Sequence, residues 1–310
     1  MASAKPAKTE QRNLRSRGLD RKSTLEILQI LNREDASVAK AVSRELPTIA
    51  RVVDKIVQAF SSGGRLFYVG AGTSGRLAVL DAAECPPTFG TPPEMVQAII
   101  AGGNRALRCA IEDAEDSAAG GARDLSQAKI TKRDVLVGIS ASGTTAYVLG
   151  ALKLAKKRGA FTVALTSNSN SPIARQSQIL IAPDTGPEAI AGSTRLKAGT
   201  AQKMILNLLS SAAMARMGRI YDNWMIHVAL TNAKLRRRGA QILQEATGAS
   251  AASAKRALNQ SSYNLPTALI MLKAKATAPQ ARRALAFTSG NIQQALNLLT
   301  KAPRRRDQRQ

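Results

Sequence analysis

RLFYVGAGTSG, residues 65–75, and DVLVGISASGTT, residues 134–145, decide the fold. Each opens with a short, unbroken apolar run and ends at once in a turn rich in glycine and hydroxyl groups. A strand that is apolar at successive positions is covered on both faces, the condition of a parallel sheet flanked by helices. Residues 95–101 (MVQAIIA), 161–167 (FTVALTS) and, more weakly, 178–182 (QILIA) repeat the pattern, with helical stretches between them. Strand and helix in alternation predict an α/β domain built on a doubly wound parallel sheet.

Working outward, residues 23–31 read as a short apolar helix. In residues 36–60, Val38, Val42, Leu46, Ile49, Val53, Ile56 and Phe60 fall at helical intervals, with Pro47 predicting a break near Leu46. Further helices are expected at residues 76–84, 104–114 and up to 158, and a long one at 193–217. Cys85-Pro86-Pro87 reads as a rigid turn. Beyond residue 241 the strand pattern stops, and short amphipathic helices separated by Gly248, Pro266, Pro279 and Gly290 predict a small helical domain. The expected organisation is a flexible N-terminal arm (1–20), an α/β domain with flanking helices (21–240), the helical domain (241–300) and a basic tail (301–310).

The chain has 310 residues, 44% hydrophobic and 21% charged, as in a soluble globular protein. No stretch reaches the roughly 20 apolar residues of a membrane helix. The first 17 residues are polar and basic with no apolar core, unlike a secretory signal. Two cysteines, Cys85 and Cys109, are too few for a disulfide framework, and a reducing cytoplasm is expected. The 45 basic against 21 acidic residues give a net charge of +24. That charge is spread along the chain, with clusters at 234–238 and 304–309, and no zinc-finger or ribonucleoprotein motif accompanies it. Specific nucleic-acid binding is therefore not expected.

In an open parallel sheet, ligands bind beyond the carboxyl ends of the strands, where helix N-termini present free N–H groups. The turn containing Gly72, Thr73 and Ser74 offers small residues and two hydroxyls. The turn containing Ser140, Ser142, Gly143, Thr144 and Thr145 offers four hydroxyls at a helix start. Neither is a nucleotide-binding loop with Gly-Lys-Ser/Thr. Gly70, Gly72 and Gly75 match the dinucleotide pattern, but no acidic residue ends the next strand. A hydroxyl-capped tight turn is the alternative for either loop alone; the two together point to a sugar phosphate.

The one histidine, His227, lies in an apolar stretch and reads as a core or interface residue. With two unrelated cysteines it makes no zinc site, so a metal is not expected. Proton chemistry then falls to carboxylates. The carboxylates to notice are Glu84 and the cluster of Glu112, Asp113, Glu115 and Asp116, of which Glu84 and Glu115 fall near the strand-end crevice. Spacing alone leaves Glu84 equally a surface residue at a helix end, and 112–116 equally a solvated acidic patch.

VGAGTSGRLAVLDAAECPPTFG (69–90), IEDAEDS (111–117), GISASGTTAYV (138–148) and GSTRLKAGTAQKMILN (192–207) resemble the signature segments of N-acetylmuramic acid 6-phosphate etherases. The similarity runs from about residue 9 to about residue 290. It implies a sugar-isomerase domain with a ubiquitin-associated-like helical tail, and a homodimer. The implied reaction cleaves the lactyl ether of an amino-sugar phosphate without a cofactor. It also implies Glu84 and Glu115 as catalytic residues, and Ser193 and Lys197 of the last segment as substrate-binding residues beside the two loops. Two departures stand out. Thr144 occupies a position where the family usually has arginine, and His227 one where it usually has aspartate. The alternatives on the same fold are a sugar-phosphate isomerase and a non-catalytic sugar-phosphate regulator.

Overall fold

A computed structural model describes residues 8–301 of the chain. The five apolar runs form β1 (Leu66–Gly70), β2 (Val96–Ile100), β3 (Val135–Ile139), β4 (Phe161–Leu165) and β5 (Ile179–Ile181). They pair in parallel in the order β2-β1-β3-β4-β5. Every residue of β1 and β3 is buried, as continuous apolar strands require. The chain runs from β1 outward to β2, then returns to add β3 on the other side of β1. β1 and β3 are thus neighbours, with Gly70 opposite Ile139, and the two turns singled out by sequence leave the sheet side by side at its switch point.

Residues before the sheet fold as α1 (Thr24–Ser43) and α2 (Leu46–Ser61). A capping box between Ser23 and Glu26 starts α1, which is a single long helix rather than a short one followed by a second start at residue 36. The break falls at residues 44–45. Pro47 sits in the first turn of α2, where its missing N–H leaves no bond unmade.

Four further differences from expectation have local causes. α3 (Gly72–Phe89) continues past Glu84, and the predicted Pro86-Pro87 turn is instead its last turn, with Gly90 N donating to Pro86 O at 2.9 Å. The helix expected at 104–114 is two 3₁₀ turns, Gly103–Leu107 and Glu112–Asp116. Gly102 and Gly103 adopt positive φ before the first, and Ala106 is the one buried residue in the pair, so no apolar stripe holds a longer helix. α4 (Ala118–Gln127) has no strong stripe either, and it packs on α5 (Ala146–Lys157) through glycine. A Cβ on Gly121 would come within 1.9 Å of Tyr147 O, so only glycine permits that approach. After α6 (Pro172–Gln176), α7 spans Lys197–Arg216, starting four residues later than the sequence reading placed it.

Contacts divide the chain into two units. One runs through Ala83 and again from Pro93 to Ala213; the other comprises Glu84–Pro92 and the chain from Met214 on. The second unit holds α8 (Ala233–Thr247), α9 (Ala251–Gln260), α10 (Leu265–Ala274), α11 (Ala278–Phe287) and α12 (Ile292–Lys301). Their core gathers Ile242, Leu243, Leu258, Leu269 and Ile292 around Ile226. The first helix of this group therefore begins before residue 241. Residues 302–310, most of the expected basic tail, lie outside the described residues.

The N-terminal segment departs most from expectation. From Lys8 it is an ordered strap of 3₁₀ turns at Lys8–Glu10, Leu14–Ser16 and Leu19–Arg21, with Thr9, Asn13 and Ser16 buried. Asn13 donates to Glu34 at 2.7 Å and to Pro187 O at 3.2 Å, and Arg15 Nε lies 2.7 Å from Glu34 Oε1. The first seven positions of the predicted arm lie outside the described residues. Among those described, no helix is long and apolar enough to cross a membrane.

Candidate active site

A cleft of about 330 Å³ opens at the β1/β3 switch point, and the first unit alone lines it. One wall is the start of α3: Gly72, Thr73, Ser74 and, one turn on, Arg76. Gly72 takes a positive φ of +51°, and the first helical bond runs from Gly75 N to Ala71 O. Ser74 is buried, and its hydroxyl donates to Gln202 at 2.9 Å. A second wall is the turn after β3, contributing Ser140, Ser142 and Thr145. Here Ser140 Oγ and Thr145 Oγ1 are 2.8 Å apart, and Gly143 N donates to Ser140 Oγ at 3.0 Å. α5 starts at this turn with no side chain capping it, so its first N–H groups and its dipole point at the cleft. An anionic group fits that position.

The floor between these walls carries Glu115, on the 3₁₀ turn Glu112–Asp116. Burial holds the Glu115 carboxyl above its ordinary range, and the neighbouring charges of Asp116 and Glu112 push the same way, partly offset by Arg76. A carboxyl raised by burial and like charges in a cleft is suited to proton transfer.

Not every residue singled out by sequence lies here. Gly143 and Thr144 shape the β3 turn without lining the cleft. Gly143 has φ +72°, and a Cβ there would sit 2.3 Å from Ser171. Thr144 is exposed and pairs its hydroxyl with Ser142 at 2.8 Å. Ser193 is absent from the lining although its neighbours Gly192 and Thr194 contribute to it. Lys197 is a clear correction. Its side chain is sealed from solvent, and its ammonium lies 2.6 Å from Glu34 Oε2. The N-terminus of α7 is likewise closed, because Glu188 accepts the Lys197 and Ala198 N–H groups at 2.9 Å each. A helix start already holding a carboxylate has no room for a second anion. Glu84 is exposed, belongs by its contacts to the second unit, and is not among the cleft's lining residues.

Sequence reading missed Glu10 and Arg76 in the lining, and named Glu112 only as part of the acidic cluster around Glu115. Arg76 had a signal, since it follows the glycine turn and opens a helix; Glu10, delivered by the strap, had none. Among the described residues no group of three or more histidine, cysteine or acidic side chains is placed to hold a metal.

Residues 48–156 match the family described as the glucokinase regulatory protein N-terminal SIS domain, and residues 114–212 match the SIS domain. N-acetylmuramic acid 6-phosphate etherase from Klebsiella aerogenes is 48% identical over 289 residues, 93% of this chain and 96% of its own. Its counterpart from Edwardsiella ictaluri is 51% identical over 289 residues, again 93% and 96%. A solved phosphoheptose isomerase from Francisella tularensis has a TM-score of 0.48 at 19% identity, covering 63% of this chain and all of the other. The parallel sheet is that of an SIS domain, with added helical regions before and after it. Within that class, the chain belongs to the N-acetylmuramic acid 6-phosphate etherase family.

Proposed function

We propose that the chain is a carbon–oxygen lyase that releases D-lactate from N-acetylmuramic acid 6-phosphate, leaving N-acetylglucosamine 6-phosphate. The observation that carries this reading is Glu115: a carboxyl held above its ordinary range, in a cleft beside an uncapped helix start and its hydroxyl turn. The phosphate would sit at Ser140, Ser142 and Thr145 and the first turn of α5, with Thr73 and Ser74 opposite.

An ether is a poor leaving group, but this one lies β to the aldehyde of the open-chain sugar. Glu115 takes the C2 proton, the freed electron pair forms the C2–C3 double bond, and the C3–O bond breaks onto the lactate oxygen. We assign Glu84 as the acid that protonates that oxygen. Water then adds at C3 and a proton returns to C2, so no redox step is required. Because Glu84 does not line the cleft of its own chain's first unit, the reading includes a homodimer in which the partner supplies it. Phosphorylated amino sugars derived from cell-wall peptidoglycan would be the source of substrate, and the cytoplasm the compartment.

The test is incubation with N-acetylmuramic acid 6-phosphate and an assay for D-lactate. Stoichiometric release supports the lyase. Binding without turnover would instead make the chain a sugar-phosphate sensor, and isomerisation of the sugar without lactate release would make it an isomerase.

A further inference from the structure

The only cationic side chain lining the cleft among the described residues is Arg76, and its guanidinium is fixed in place. Nε donates to Ala106 O at 2.9 Å and Nη2 to Cys109 O at 3.0 Å. Those carbonyls belong to the segment that leads into the Glu115 turn, so Arg76 and the catalytic carboxyl are held by one piece of chain. Two of the five N–H donors are thereby taken; the remaining three have no acceptor among the described residues. Nor does Arg76 form an ion pair with any described carboxylate, although Glu10, Glu112 and Glu115 line the same cleft. An anchored guanidinium with a free donor edge is preorganised for a planar anion.

We infer that Arg76 is the binding residue for the carboxylate of the ether substituent that leaves from C3, and so sets the preference for an acidic leaving group. The inference rests on the lyase reading. If Glu115 abstracts the C2 proton, groups on C3 are those within reach of a cation beside Glu115. The lactyl carboxylate is two bonds from the C3 ether oxygen, whereas the phosphate is three carbons away and has the hydroxyl turn and the α5 N-terminus to receive it.

The experiment compares two substrates, N-acetylmuramic acid 6-phosphate and 3-O-ethyl-N-acetylglucosamine 6-phosphate, which keeps the phosphate and the ether but lacks the carboxylate. With Arg76→Gln, kcat/KM on the lactyl ether should fall by about 10- to 100-fold, the range of a lost charged hydrogen bond. The rate on the ethyl ether, and deuterium exchange at C2 of N-acetylglucosamine 6-phosphate, should change less than about threefold, because neither involves the missing carboxylate. Equal losses on both ethers would place Arg76 at the phosphate or in the shared chemistry and overturn the inference, as would an unchanged preference. If Arg76→Gln is unstable, Arg76→Lys decides. It keeps the charge but not the fork, so the preference for the lactyl ether should shrink while the ethyl-ether rate holds; a full preference overturns the inference. Wild-type protein that releases no lactate would sink the lyase reading itself, and this inference with it.

Discussion

Glu115 Oε1 lies over Gly72, so close that a Cβ on that glycine would come within 2.9 Å of it. Gly72 also has φ +51°, a region that costs a residue with a side chain roughly 1–2 kcal/mol. The first residue of α3 is therefore glycine for two reasons, and one of them is the Glu115 carboxylate proposed as the base. Gly72→Ala should fold with modest loss of stability and lose kcat by on the order of 10²-fold, the effect of displacing a reacting group by about an ångström. Steady-state kinetics beside a thermal melt would separate the two losses; unaltered kcat would mean that Glu115 does not act from this position.

Glu115 must be deprotonated to act as a base, so the acid limb of the kcat/KM profile should lie above 4.5, its ordinary value. Asp116 is a negative neighbour that raises this carboxyl, so Asp116→Asn should move the limb to lower pH. Glu115→Gln should lower lactate release by about 10²- to 10⁴-fold and abolish C2 deuterium exchange. Exchange that survives the loss of Glu115 would reverse the roles given to the two glutamates.

Glu84→Gln and Glu115→Gln should each be inactive as homodimers. If each site takes Glu84 from the partner, co-refolding the two variants in equal amounts should restore about a quarter of wild-type activity, because half the dimers are mixed and each of those has one intact site. No recovery would place both glutamates of a site on the same chain.

The Lys197–Glu34 pair makes a prediction about stability. Burial works to raise the Glu34 carboxyl, but hydrogen bonds from Lys197 and Asn13, with the charges of Lys197 and Arg15, hold it below its ordinary 4.5. A depressed folded-state value contributes stability above pH 4.5 that is lost as pH falls through the folded value. Lys197→Met should cost about 3–5 kcal/mol in urea denaturation by stranding a buried carboxylate, and the double variant with Glu34→Gln should recover part of that. Glu34→Gln should also flatten the loss of stability in acid. A Lys197→Met variant that unfolds like wild type would show the pair to be idle.

The sheet was legible because its strands are buried on both faces and read as unbroken apolar runs, as in residues 66–70 and 135–139. The hydroxyl turns were legible because glycine and serine gather where strand passes to helix. Other features depend on residues remote in sequence. Lys197 entered as a substrate-binding residue through the family resemblance, and only the fold brings it to Glu34, 163 positions away. The helix wrongly expected at 104–114 shows the limit of local pattern, since Gly102 and Gly103 take positive φ there. Arg76 could be seen beside the glycine turn, but not the two backbone carbonyls that aim it. Glu84 could be placed near the strand-end crevice, but its spacing fits a surface position too, and its role came only through family resemblance.

The strap at residues 8–21 does not join the sheet, yet it delivers Glu10 to the cleft and is tied down at Glu34 and Pro187. One edge of the cleft is thus borrowed from outside the sheet, and it is fastened to the same Glu34 carboxylate that Lys197 holds. A deletion at that end would therefore loosen packing and cleft together, since Asn13 and Arg15 are among the groups that hold the Glu34 carboxylate.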